Sequence, residues 1–178
     1  MQSVAAKRAA PDGIEPEKIE VVALPRQAGR PHGLRFGTLV HATLLRVPFD
    51  ADRGAIVAAA AFQARMLGAS ADEIDAAAGA VETALRSPLK IQAASAPPDC
   101  RREAPLLVKL ADGVTVEGIA DLAFVERANG QRRWVVVDFK TDAGIAPRLS
   151  EYRVQLSLYI RAITQSTGDP ARGVLLWL

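Results

Sequence analysis

Between Phe36 and Val47 the residues Phe36, Leu39, Val40, Thr43, Leu44 and Val47 recur at the spacing of one helical face. The segment FGTLVHATLLRV is therefore predicted as a helix, closed by Pro48, which has no N–H to continue it. A second helix is expected from Arg53 to Leu67, ended by Gly68. Ser70 followed by Glu73 is a capping-box pattern for a third, running to about Arg86 before Ser87–Pro88. The period then changes. The run within 100–110 is extended and rich in Leu and Val, Ala111–Asp112–Gly113 signals a hairpin, and Val114 to Glu126 alternates. In that alternation Val114, Val116, Gly118, Ala120, Leu122 and Phe124 share one face; Thr115, Glu117, Ile119, Asp121 and Ala123 share the other. Asn129–Gly130 signals the next turn. WVVVDF, Trp134 to Phe139, is nearly all apolar and reads as a strand buried on both faces. Leu149 to about Thr167 is an amphipathic helix broken by Gly168, Asp169 and Pro170, and GVLLWL, Gly173 to Leu178, is a last buried strand. The predicted order is three helices, a three-stranded meander, a helix and a strand, an α/β fold.

Upstream of this pattern, residues 1–33 carry Pro11, Pro16, Pro25 and Pro31 with weak periodicity. They read as a tail or linker holding at most a short strand near Ile19–Leu24, and the ordered domain is expected from about Gly33–Phe36. The chain of 178 residues is 49% hydrophobic and 24% charged, the balance of a globular domain with a sizeable core. Its 22 basic and 20 acidic residues leave a formal charge of +2, which excludes a histone-like basic protein and gives no strong prior for nucleic acid. The single cysteine, Cys100, excludes an internal disulfide and a four-cysteine zinc or iron–sulfur site. No stretch near 20 residues is apolar enough to span a membrane, and no secretory leader is visible, so a reducing cytoplasm is the default compartment. No Walker-type loop and no G-x-S-x-G elbow occurs, which leaves no ATP motor in this chain.

The candidate chemistry centres on Val137–Asp138–Phe139–Lys140–Thr141. Residues two apart on a strand point the same way, so Asp138 and Lys140 share a face at the strand's exit while Phe139 packs behind. Such a pair either makes a salt bridge at the strand end or holds a cation and orients a water. Glu117–Gly118–Ile119–Ala120–Asp121 lies on the preceding strand, and pairing across the turn would bring Asp121 beside Asp138. Two carboxylates there suit Mg²⁺ or Mn²⁺. Gly118 marks either a close approach or a bulge. His41, four residues after Gly37 on an apolar helix, is either a core histidine or a metal ligand. Tyr152, Gln155 and Tyr159 fall on one helix face, a polar stripe or an ordinary aromatic packing surface. Glu103 enters the meander beside Arg101 and Arg102, as an orienting group or a surface ion-pair partner.

Together these residues resemble the RecB-like nuclease family of the PD-(D/E)XK superfamily, and they are most similar to the C-terminal nuclease domain of AddA-type helicase–nucleases. The family run G-x-x-x-H, R-E-x-P, G-x-x-D, D-x-K-T and Y-x-x-Q-x-x-x-Y corresponds to Gly37/His41, Arg102/Glu103/Pro105, Gly118/Asp121, Asp138/Lys140/Thr141 and Tyr152/Gln155/Tyr159. The resemblance implies a restriction-endonuclease-like core, a central mixed sheet flanked by helices with an N-terminal helical segment, over 34–178 with a helical insertion at about 51–88. It implies metal-dependent hydrolysis of DNA, as in recombinational double-strand-break repair. His41, Asp121, Asp138 and the Phe139 carbonyl would hold Mg²⁺ or Mn²⁺, and Lys140 would position the attacking water. Gln155 and Tyr159 would support the lysine and the DNA backbone. Tyr152, Gln155, Arg153, Arg148 and Thr141 are the expected DNA contacts, with Glu103 and Gly118 supporting. Arg35, Arg46, Lys109, Arg132, Arg133, Arg148 and Arg153 are candidates for a basic rim giving sequence-independent binding. No iron–sulfur cluster and no ATP are expected. DNA is the expected partner, delivered by a helicase subunit or a larger helicase–nuclease polypeptide. The competing reading is a catalytically weak nuclease-fold module that docks DNA or a helicase.

Overall fold

The alternating and apolar runs become the strands of one sheet. The computed structural model describes residues 19–128 and 130–178, with the backbone alone at Ala128. Its strands are β1 (Ile19–Ala23), β2 (Cys100–Lys109), β3 (Thr115–Ala128), β4 (Gln131–Lys140) and β5 (Ala171–Trp177), in the spatial order β1-β5-β4-β3-β2. The helices are α1 (Leu34–Arg46), α2 (Arg53–Leu67), α3 (Ala71–Leu85), α4 (Pro88–Ala94) and α5 (Leu149–Thr167). Contacts divide the described chain into two units. The first holds residues 19–22, Ala96–Asp138 and Ile145–Leu175; the second holds Ala23–Ser95, Phe139–Gly144 and Leu176–Leu178.

In the first unit β2, β3 and β4 form the expected antiparallel meander, with Lys109 opposite Thr115 and Leu122 opposite Val137. Asn129 of the expected turn lies outside the described residues, as do residues 1–18 of the expected tail. Trp134 N–H bonds Pro170 C=O at the start of β4 and β5, and Leu178 N–H bonds Lys140 C=O at their ends, so β5 runs parallel to β4. The sheet is therefore mixed. Val135, Val136 and Val137 are fully buried, as the two-faced apolar run predicts. Helix α5 lays Leu158 and Ala162 on Val108 of β2, with Leu106, Leu110 and Val116 around them. Gly173 of β5 also sits under this helix, because a Cβ there would stand 2.7 Å from Leu156 Cγ. Gly168 ends α5 in the left-handed conformation at φ 75°, which explains the break seen in the sequence.

In the second unit α1, α2 and α3 pack against one another through small side chains. Ala60, Ala64, Ala77, Ala78 and Ala84 are buried there with Phe36, Leu39, Val40, Leu44, Ile56 and Val81. Asp52 caps α2, and Ser70 with Glu73 closes the predicted capping box on α3. Ser87–Pro88 does more than end a helix. Ser87 accepts a hydrogen bond from Lys90 N–H and Pro88 occupies the first turn, so the pair starts α4.

One ion-pair cluster ties three strands of the first unit together. Glu126 on β3 receives hydrogen bonds from Arg172 on β5 and Arg133 on β4. The Arg172 bond, followed by that from Arg133, holds the Glu126 carboxyl below its ordinary range, although burial pushes the other way. A folded-state pKa below the unfolded one means this contribution is full above the unfolded value of about 4.3 and disappears as pH falls through the folded value. Glu126→Gln is expected to lower stability at pH 7 by about 1.5–3 kcal/mol, the scale of hydrogen bonds to charged groups. It should also flatten the acid-side loss of stability. Urea midpoints of both proteins at pH 7 and pH 3 check this; equal differences at the two pH values would contradict it.

Candidate active site

The β3–β4 register decides what faces what. The last pair of the ladder sets Leu122 opposite Val137, and Asp121 and Asp138 are the residues next to that pair on β3 and β4. Both carboxylates lie in the first unit. Asp138 is only 4% exposed. On the other side of β3 the ladder to β2 pairs Arg102 with Leu122 and Ala104 with Ala120 but skips Glu103 opposite Asp121. Glu103 has φ 46°, a left-handed backbone uncommon for a residue with a side chain. Strain and an open ladder step thus coincide beside Asp121.

Helix α5 brings Tyr159 to the same strands. Gln155 Nε2 donates to the Tyr159 hydroxyl at 2.8 Å, the i,i+4 contact expected from the polar stripe. Burial pushes the Tyr159 phenol up; the Gln155 bond and a backbone bond from Ile119 oppose this, while the charges of Asp138 and Asp121 add to it. Both carboxylates therefore lie within electrostatic reach of a neutral hydroxyl. The approach requires Gly118: a Cβ there would lie 2.4 Å from Tyr159 Cε1. Tyr152 is also buried, with Arg148 stacked 4.9 Å from its ring.

The second unit holds the other motif residues. A Cβ on Gly37 would lie 2.9 Å from Thr141 Oγ1, so the glycine of G-x-x-x-H makes room for the threonine of D-x-K-T. His41 is half-buried and meets the Phe139 ring edge-on at 6.0 Å. The opposite demand on Phe139 comes from Lys90, which the sequence reading missed. Lys90 is 2% exposed, with Nζ 4.7 Å from the Phe139 ring centroid and 5.1 Å from that of Phe49. Nothing in PLKIQAA marks this lysine as buried. Beyond Lys140, the backbone is held from outside the motif. Arg26 donates to the carbonyls of Asp142 and Ala143, Arg30 to that of Thr141, and Trp177 Nε1 to that of Asp142.

Among the described residues no three His, Cys, Asp or Glu side chains form a metal-holding group. Asp121 and Asp138 instead make a pair of hard oxygen donors in the first unit. This fits a small hard cation that keeps several waters and takes one or two carboxylates. His41 and the Phe139 carbonyl lie in the second unit.

Much of the expected basic rim is neutralised. Arg35 pairs with Glu73, Arg132 with Asp99 and Asp169, Arg133 with Glu126, and Arg148 with Glu151. Among the described residues Arg46, Lys109 and Arg153 form no ion pair and are exposed. Thr141 and Tyr152 are buried packing residues, at 8% and 4% exposure.

Gly118→Ala is expected to displace Tyr159, because a rigid ring cannot yield to a Cβ at 2.4 Å. The cost should be about 1–3 kcal/mol, typical of overpacking. It should shrink in a Tyr159→Leu background, where the obstructing ring is gone. Thermal melts of the two singles and the double variant measure this coupling; full additivity would contradict the contact.

The sequence model described as the PD-(D/E)XK nuclease superfamily matches residues 17–178. No curated protein matches the chain significantly. The match begins before β1 and runs to the last residue of β5 and beyond, covering the sheet, all five helices and every motif residue above, and the chain belongs to the PD-(D/E)XK nuclease superfamily.

Proposed function

We propose that this protein is a Mg²⁺- or Mn²⁺-dependent deoxyribonuclease that hydrolyses phosphodiester bonds at DNA ends or in single strands, in the service of recombinational break repair. The observation that carries the reading is that Asp121 and Asp138 stand next to the last β3–β4 pair and both act electrostatically on the Tyr159 hydroxyl. Those carboxylates are the principal ligands, with His41 and the Phe139 carbonyl completing the motif's set. The bound cation supplies Lewis-acid stabilisation of the charged phosphoryl oxygens. Lys140 orients the attacking water and offsets negative charge as it develops on phosphorus. The Gln155–Tyr159 pair supplies a fixed neutral donor for the lysine's surroundings and the DNA backbone. Arg153, exposed and in no ion pair among the described residues, is its sequence-independent phosphate contact, whereas Arg148 is held by Glu151. Because so many arginines are already paired with acids, delivery of DNA by a helicase partner or a longer helicase–nuclease chain fits better than capture from bulk solution.

The test is cleavage of end-labelled linear DNA with Mg²⁺, with Mn²⁺ and with a chelator. Asp138→Asn and Lys140→Ala should each lower kcat by about 10²–10³-fold, the scale set by losing one preorganised electrostatic group. Activity that survives both substitutions, or that ignores the chelator, would overturn the assignment. A folded wild-type chain that binds DNA but never cuts it would favour the docking module.

A further inference from the structure

The arginines expected to form the rim are largely held by acids, but two arginines in the stretch that composition marks as a tail are not. Arg26 and Arg30, in the second unit, line a cavity of about 140 Å³. Roughly 10–15 Å³ of such space holds one water, so this volume admits a tetrahedral oxyanion with part of its hydration. Gln27 and Thr83 add an amide and a hydroxyl to the lining, and Ala76 and Ala80 of α3 leave the room. No Asp or Glu side chain lines it.

The guanidiniums are ordered by backbone oxygens and aromatic rings. Arg26 donates to Asp142 O at 2.9 Å and to Ala143 O at 3.3 Å and stacks 4.4 Å over Trp177. Arg30 donates to Thr141 O at 3.2 Å and to Leu178 O, with Phe36 5.4 Å beneath it. Backbone oxygens and rings fix the forks, and Asp142 is the acid felt by Arg26 while Arg30 feels Arg26. Burial first, and then that like charge, lowers the Arg30 pKa to about 10. Its Nε is buried with no acceptor among the described residues. A guanidinium carries five donors in a fixed fork that matches phosphate oxygens, and both forks here retain N–H groups beyond those given to carbonyls.

We propose that this cavity is an oxyanion subsite in which Arg26 and Arg30 hold a phosphate group. Its occupant is either a phosphodiester of a bound DNA strand, a source that rests on the nuclease reading, or free phosphate or a mononucleotide. The same two side chains grip the carbonyls of residues 141–143, so an anion drawn between the forks stiffens the backbone that follows Lys140.

The experiment uses the full chain without cleavage as a readout. Inorganic phosphate is titrated at constant ionic strength against chloride while the melting temperature is followed. A saturable rise is expected in the wild type, and it should be lost in Arg30→Gln. Because Arg30→Gln also removes backbone hydrogen bonds, Ala80→Glu is the second variant: it places a carboxylate in the lining and leaves both arginines and their bonds intact. In parallel, a fluorescent single-stranded oligonucleotide is bound in chelator. A tenfold or so weakening in both variants, with the salt slope reduced by about one, assigns the site to a DNA phosphate. Loss of the phosphate response with unchanged oligonucleotide binding assigns it to free phosphate or a nucleotide. No response in the wild type together with unchanged oligonucleotide binding, or responses equal in all three proteins, would overturn the subsite. A chain that binds phosphate here yet never cuts DNA retains this inference and loses the nuclease reading.

Discussion

The constraint on which the rest depends is a carboxylate at the end of a buried valine strand. Asp138 follows Val135, Val136 and Val137, which have no exposure, and is itself only 4% exposed. An ionised group so enclosed is costly unless charge or hydrogen bonds compensate it. The fold does not answer by making Asp138 remote from other acids. It keeps Asp121 on the neighbouring β3, next to the last β3–β4 pair, and sets a buried hydroxyl, Tyr159, within electrostatic reach of both. That phenol cannot ionise easily, since burial and two carboxylates oppose a third negative charge. Two carboxylates and a phenol are thus gathered near one strand end.

Two glycines show how such a site constrains residues that carry no chemistry. Gly118 and Gly37 were legible as parts of a spacing pattern, but the pattern alone left Gly118 open between a bulge and a close approach. In the structure Gly118 stands in the ladder opposite Leu106, with this chain's own Tyr159 where a side chain would go. Gly37 has the same logic against Thr141. In both cases the requirement is steric and belongs to the partner. A sequence read position by position shows that a glycine is present; it cannot show which side chain fills the space.

Periodicity is a local property, and the parts of this fold that periodicity governs were legible. The bounds of α2 and α5 follow from helical spacing and terminal glycines, and the meander follows from alternation and turn residues. The short α4 was hidden because Ser87–Pro88 reads equally well as a stop and as a start. What sequence could not supply were pairings between distant segments. Lys90 is polar by type and buried by circumstance, since its partners Phe49 and Phe139 are far away along the chain. Glu126, Arg133 and Arg172 join three strands through an ion cluster that no motif announces. The candidate acids at Asp121 and Asp138 were found because a single hairpin links them, which makes their register nearly a local fact.

The same distinction governs charge. A formal +2 is a sum over the chain, and recognition depends on which charges remain unmatched. Arg35, Arg132, Arg133, Arg148 and Arg172 are each answered by a carboxylate, so they stiffen the fold and contribute little field to a polyanion. Arg46, Lys109 and Arg153 stay exposed and unmatched among the described residues, while Arg26 and Arg30 are positioned by carbonyls rather than by acids. Each phosphate contact a protein makes releases condensed counterions, so a handful of unmatched cations gives modest affinity with a shallow salt dependence. The chain's net charge therefore says less about polyanion binding than the few cations left without a carboxylate among the described residues.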